Sequence, residues 1–97
     1  MASLKKVSMS ADEAQSLALQ TLAFLAGDGA RLQRFLSLSG LSPAELRACA
    51  GTAHLQLAVL DHVLTDESLL MVAAADMGVA PEAFARAQSL LSGSPVR

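Results

Sequence analysis

The chain has 97 residues, 53% of them hydrophobic, with no Trp, no Tyr, three Phe and a formal net charge of −2. A chain of this length makes one domain, and its acidic balance disfavours a polyanionic partner such as nucleic acid. The core has to come from Leu and Ala, which are strong helix formers, and β-branched residues are few, so the composition predicts an all-α fold.

The opening MASLKKVSMSADE carries two lysines but no apolar stretch before Asp12 and Glu13, so it does not read as a secretory signal. Residues 1–10 read as a flexible tail and 94–97 as a second one, around a single helical domain over 11–93. The longest apolar runs, such as LLMVAAA, fall far short of the ~18 residues that a membrane span needs. A lone cysteine, Cys49, has no internal disulfide partner and reads as an inert buried thiol in a reducing compartment. These features together lead us to expect a soluble, cytoplasmic protein that meets no membrane.

Ser10 and Glu13 have capping-box spacing, and a helix follows to about Ala26. Leu17, Leu22 and Leu25 share one face of it, flanked by Ala14, Ala18 and Leu19. The GDG that follows should end this helix through a left-handed glycine. Asp28 can cap a second helix in which Leu32, Phe35, Leu36 and Ser39 lie on one side, closed by Gly40. Ser42, Pro43 and Glu45 combine a cap, a first-turn proline and a second capping box for a short third helix that stops at Gly51. Thr52 begins a fourth helix with the stripe Leu55, Val59, Val63. Continued by helical steps, that stripe would place Asp66 or Glu67 in the core. A break at Thr65–Asp66 avoids this and sets the acids at the positive end of a fifth helix. Gly78 ends the fifth helix, Pro81 starts a sixth, and the pattern fades at Gly93.

Six helices fall into two trios, over about 11–50 and 52–92, which read as pseudo-repeated units sharing one Leu/Ala core. Laid over each other without gaps, 14–50 and 52–88 pair Leu17 with Leu55, Leu19 with Leu57, Leu22 with Leu60 and Leu32 with Leu70. Asp28 also pairs with Asp66, Gly40 with Gly78 and Pro43 with Pro81. If the units are true repeats, equivalent helices should superpose, with Leu32 and Leu70 both buried. The alternative is that any two such segments share their caps and turns.

Candidate chemistry is sparse. Ala74, Gly78, Val79 and Phe84 have helix-turn-helix spacing, but the would-be recognition helix PEAFARAQSLLS carries one Arg and one Glu, and no Lys or Arg occurs between Ala48 and Ala85. His54, Asp61, His62, Asp66 and Glu67 are the densest set of metal-ligand types. Histidines eight residues apart cannot close one site alone, and no HExxH spacing is present, so they read as solvated surface groups with no metal. No serine sits in a nucleophile elbow and no glycine-rich phosphate loop occurs, so neither catalytic residues nor a cofactor are expected.

Charge is uneven. Arg31, Arg34 and Arg47 lie in the first half, whereas Asp61, Asp66, Glu67, Asp76 and Glu82 fall in the stretch between Ala48 and Ala85 that holds no Lys or Arg. Leu57 and Met71 fall beside the main apolar stripes of the fourth and fifth helices. Arg31, Arg34, Leu57, Met71, Asp66 and Glu67 are therefore the candidate interaction surface, for a homodimer on a two-fold axis or another protein partner.

The strings FLAGDGARLQRFLSLSGLSPAELR, AVLDHVLTDESLL and PEAFARAQSLLSG resemble a family of short, all-helical bacterial proteins, found mainly in proteobacteria and classed as a domain of unknown function. The resemblance covers about Ala14 to Gly93. Members typically carry an aromatic residue near His62 and another near Ala73, and this chain departs there. The resemblance implies a compact helical protein and no established activity. The functional expectation is a non-enzymatic cytoplasmic interaction or adaptor module. The alternative is a helix-turn-helix DNA-binding regulator using the Gly78 turn, and a small metal-dependent or acid–base enzyme comes third.

Overall fold

A computed structural model describes residues 9–93. Within them the chain forms α1 (Ala11–Ala26), α2 (Gly29–Ser39), α3 (Pro43–Ala48), α4 (Ala53–Leu64), α5 (Glu67–Met77) and α6 (Pro81–Ser92), and no strand. The protein is all-α. Most of the two expected tails, residues 1–8 and 94–97, lies outside the described residues.

Local chemistry sets most of the boundaries. Both capping boxes close: the Ser10 and Ser42 hydroxyls accept from the Glu13 and Glu45 amides at 3.1 Å, and each glutamate accepts the serine amide in return. Asp28 caps α2 by accepting from the amides of Ala30 and Arg31, and Thr52 caps α4 through Leu55. The rod that α4 and α5 could have formed does break at Thr65. The Asp66 carboxylate accepts the Leu69 amide at 3.1 Å, which keeps that charge at a helix N-terminus and out of the core. Gly40 and Gly78 end α2 and α5 at φ +79° and +69°, the left-handed conformation that their placement before proline-initiated helices predicts.

Two terminations differ from expectation. Gly27 ends α1 at φ −74°, in the right-handed region. Only Gly27 and Asp28 separate α1 from α2, and the Gly27 and Asp28 amides fold back onto Phe24 and Leu25 carbonyls instead of making a left-handed exit. The third helix stops at Ala48, before Gly51, with Cys49 as its C-cap; its Sγ donates to the Glu45 carbonyl at 3.0 Å. Cys49 is half-buried, less enclosed than its Ala-rich neighbourhood suggests.

α1, α4 and α6 make the most extensive mutual contacts and form the centre, with α2 against α1 and α5 against α4. The core has two lobes. Phe84 anchors one, with Ala14, Leu17, Ala18, Leu60, Val63, Ala73, Ala74 and Ala87. Phe35 anchors the other, with Leu25, Leu36, Leu46, Leu55 and Val59. Phe24 and Leu69 touch both. The alanines of the first lobe matter because their small side chains let helix backbones approach closely around Phe84. Thr21, the buried hydroxyl of α1, donates to the Leu17 carbonyl at 2.7 Å and so leaves no unpaired group.

The trios share punctuation more than packing. Asp28 and Asp66 both cap, Gly40 and Gly78 both exit left-handed, and Pro43 and Pro81 both start helices. Yet α6 has 12 residues to the 6 of α3, and it packs on both α1 and α4 whereas α3 inserts chiefly Leu46. Leu32 and Leu70 are equivalent in exposure but half-buried, short of the full burial expected. Leu19, placed on the flank of the α1 stripe, is exposed.

Candidate functional site

α2 carries Arg31, Arg34 and Leu38 at spacings of three and four, which bring them onto one face of the helix. The adjoining face buries Phe35 against α4. The Phe35 ring meets the His62 imidazole edge-on, with centroids 5.1 Å apart and an interplanar angle of 74°. This contact sets α2 beside the end of α4 and opens a cleft on each side of Leu38. One cleft, of about 220 Å³, is lined by Phe35, Leu38, Ser39, Ala58, Asp61, His62 and Thr65. The other, of about 300 Å³, is lined by Arg34, Leu38, His62, Thr65, Asp66, Glu67 and Ser68. Leu38 stands between them with 66% of its surface exposed.

His62 is the least satisfied group here. Its Nε2 is shielded from solvent and has no hydrogen-bond partner in the structure. Burial pushes its pKa below the usual 6.5; Arg34 pushes the same way, while Asp66 and Asp61 oppose. His54, in contrast, is exposed at the first turn of α4, as a solvated histidine should be. The solvated reading of His62 fails because α2 leans across it through Phe35.

Two hydroxyls that line the first cleft are already engaged. Thr65 donates to the His62 carbonyl at 2.9 Å, and Ser39 donates to the Leu36 carbonyl at 3.3 Å and accepts the Leu41 amide. Asp61 accepts from the Gln88 side chain at 3.1 Å, tying α4 to α6. No three metal-ligand side chains converge among the described residues.

Three of the six residues proposed from sequence, Arg34, Asp66 and Glu67, line one cleft together. Arg31 sits apart, half-buried, with its guanidinium carbon 4.6 Å from the centroid of the Phe24 ring, a cation–π contact. Met71 is 51% exposed on α5 next to an equally open Val72, and Leu57 is half-buried on α4; neither lines these clefts. Leu38 and His62 complete the site and were not singled out for it. The spacing of Leu38 from Arg31 and Arg34 was the available signal for the first. The second has no local signal, because it depends on how α2 crosses α4.

A family model described as a protein of unknown function, DUF3572, matches residues 11–94. The chain belongs to that family. No curated protein and no solved structure matches it. The DUF3572 match begins at the first residue of α1 and runs just past Gly93, so it takes in all six helices and both clefts. Within the described residues of this DUF3572 chain, no single helix is long and apolar enough to cross a membrane.

Proposed function

We propose that this protein is a non-enzymatic interaction module of the cytoplasm that engages a protein partner through the α2 face around Leu38. The observation that carries the proposal is Leu38 itself, a large apolar side chain held out into solvent between two clefts. Arg34, Asp66 and Glu67 rim it with charge of both signs, the arrangement of an apolar anchor inside a polar border. Ser39 and Thr65 spend their hydroxyl protons on backbone carbonyls, so neither is poised as a nucleophile for the His62 imidazole. The half-buried Cys49 thiol, bonded to a carbonyl within its own helix, suits a reducing compartment.

A second reading has one observation in its favour. α5 and α6 bend by 101° across the Gly78 turn, within the range of a helix-turn-helix, and Ala74 is buried at the crossing. The outer face of α6, however, presents Glu82, Ala85, Arg86 and Ser89, so one cation is offset by one carboxylate. Phosphate contacts need more positive charge than this helix supplies.

Photo-crosslinking in the native host tests the proposal. A photoreactive residue at position 38 should give a discrete protein adduct, and one at Ala85, exposed on α6, should not. Equal labelling at both positions, or none at 38, would refute it.

A further inference from the structure

We infer that the partner of the Leu38 face is a second copy of this chain, docked across a two-fold axis with each Leu38 seated in a cleft of the other copy. The inference rests on the interaction reading above and adds the identity of the occupant. A two-fold contact uses the same patch on both sides, so the patch has to carry its own complement in shape and in charge. This one does. Leu38 is a protrusion, 66% exposed, and the hollows on either side of it measure about 220 and 300 Å³, room for an isobutyl side chain. The hollow lined by Phe35 and Ala58 presents more apolar than polar surface despite Asp61, His62 and Thr65 at its walls, which suits a leucine better than the other.

Charge follows the same rule. Arg34 on α2 and Glu67 at the start of α5 line the second cleft and are both exposed. A rotation that brings Leu38 of one copy over the cleft of the other turns the α2 face of each toward the α4–α5 junction of its mate. Arg34 of each copy then approaches Glu67 of the other, and the pair occurs twice. Asp66 adds a second negative charge on that side while its carboxylate holds the Leu69 amide. A partner of a single charge sign would leave one of these groups facing its like. The copy satisfies both. Such pairs contribute chiefly to register and orientation, and the leucines supply the apolar burial.

Sedimentation equilibrium on the full chain, over about 1 to 100 μM, reads the assembly directly. The unmodified chain should approach the dimer mass as concentration rises. Leu38→Glu should stay monomeric over the same range with its helical circular dichroism intact, since that side chain lies outside the core. Arg34→Glu and Glu67→Arg should each weaken association at least tenfold. Mixing R34E copies with E67R copies should restore it to within a few-fold of the original, because a two-fold pairing turns both altered contacts into opposite-charge pairs. A monomer at every concentration, an L38E chain that dimerises unchanged, or a mixture that fails to recover would each overturn the inference. A monomer that still crosslinks through position 38 to a different protein would remove the second copy and leave the interaction reading standing. A monomer with no adduct at 38 would remove both.

Discussion

Replacing Gly78 and Gly29 separately with alanine should move stability in opposite directions, and the structure supplies the reason. At both positions the space a methyl group would enter is empty, with no heavy atom within 4 Å, so packing contributes nothing to either substitution. What differs is the backbone. Gly78 sits at φ +69°, where an L-residue brings its Cβ against the chain, whereas Gly29 is the first residue of α2 and lies outside the left-handed region. For Gly78→Ala the strain outweighs the smaller entropy of the unfolded chain, and the net loss is about 1 kcal/mol. For Gly29→Ala the entropy term acts alone, with a gain of roughly 0.5 kcal/mol, limited because a first-turn position feels only part of the helix propensity. In a domain this size a change of 1 kcal/mol corresponds to a midpoint shift of about 4–8 °C. Urea unfolding followed by circular dichroism reads both, provided the slope with denaturant is unchanged. If both variants shift the same way, or Gly78→Ala is neutral, the left-handed exit of α5 is not what holds the turn.

Two further outcomes follow from the site and the fold. Because burial and Arg34 lower the His62 pKa below 6.5, the folded state favours the neutral imidazole. Its contribution to stability should be complete above pH 6.5 and be lost as pH falls through the lowered folded value. His62→Phe, which keeps an aromatic edge against Phe35, should flatten that part of a pH series of unfolding midpoints, and an unchanged slope would show that the imidazole is not the group responsible. Binding to duplex DNA should be negligible at physiological salt; a fluorescence titration giving sub-micromolar affinity that falls steeply with salt would reinstate the helix-turn-helix reading of α5 and α6.

What could be read along the chain was whatever depends on a few neighbouring residues. Ser10 with Glu13, Ser42 with Glu45, Asp28, Asp66, Gly40 and Gly78 each act within one turn of helix, and each occupies the role its spacing indicates. The break before Asp66 was legible for the same reason, since continuing the Leu55–Val59–Val63 stripe would have buried a carboxylate. Depth of burial was less legible. With Leu and Ala on several faces of most helices, the apolar pattern names more candidates than a small core can enclose, so Leu19 is left outside and Leu32 and Leu70 only half inside, while Met71 is exposed as its place beside the stripe indicates. The site was hardest. Arg34, Asp66 and Glu67 share a cleft because Phe35 of α2 lands on His62 of α4, a crossing that no periodicity within either helix encodes. Gly27 shows the same limit at small scale: its conformation answers to where α2 must start, not to its own freedom.

The position of α6 has a consequence for how the protein is made. Of the six described helices α6 is synthesised last, yet it packs on both α1, the first of them, and α4. Until Phe84 arrives, Ala14, Leu17 and Ala18 on α1 have only part of their cover, that supplied by Leu60 and Val63 of α4 and Ala73 and Ala74 of α5. An emerging chain can form its individual helices and the α1–α2 hairpin, but the most extensive contact joins the first and the last of the six described helices. Helical proteins usually assemble from near neighbours; here closure waits for the far end, which raises the entropic barrier to the final step and makes completion close to all-or-none. A message cut short before Pro81 would thus yield not a smaller working unit but a chain with its apolar face open to proteolysis.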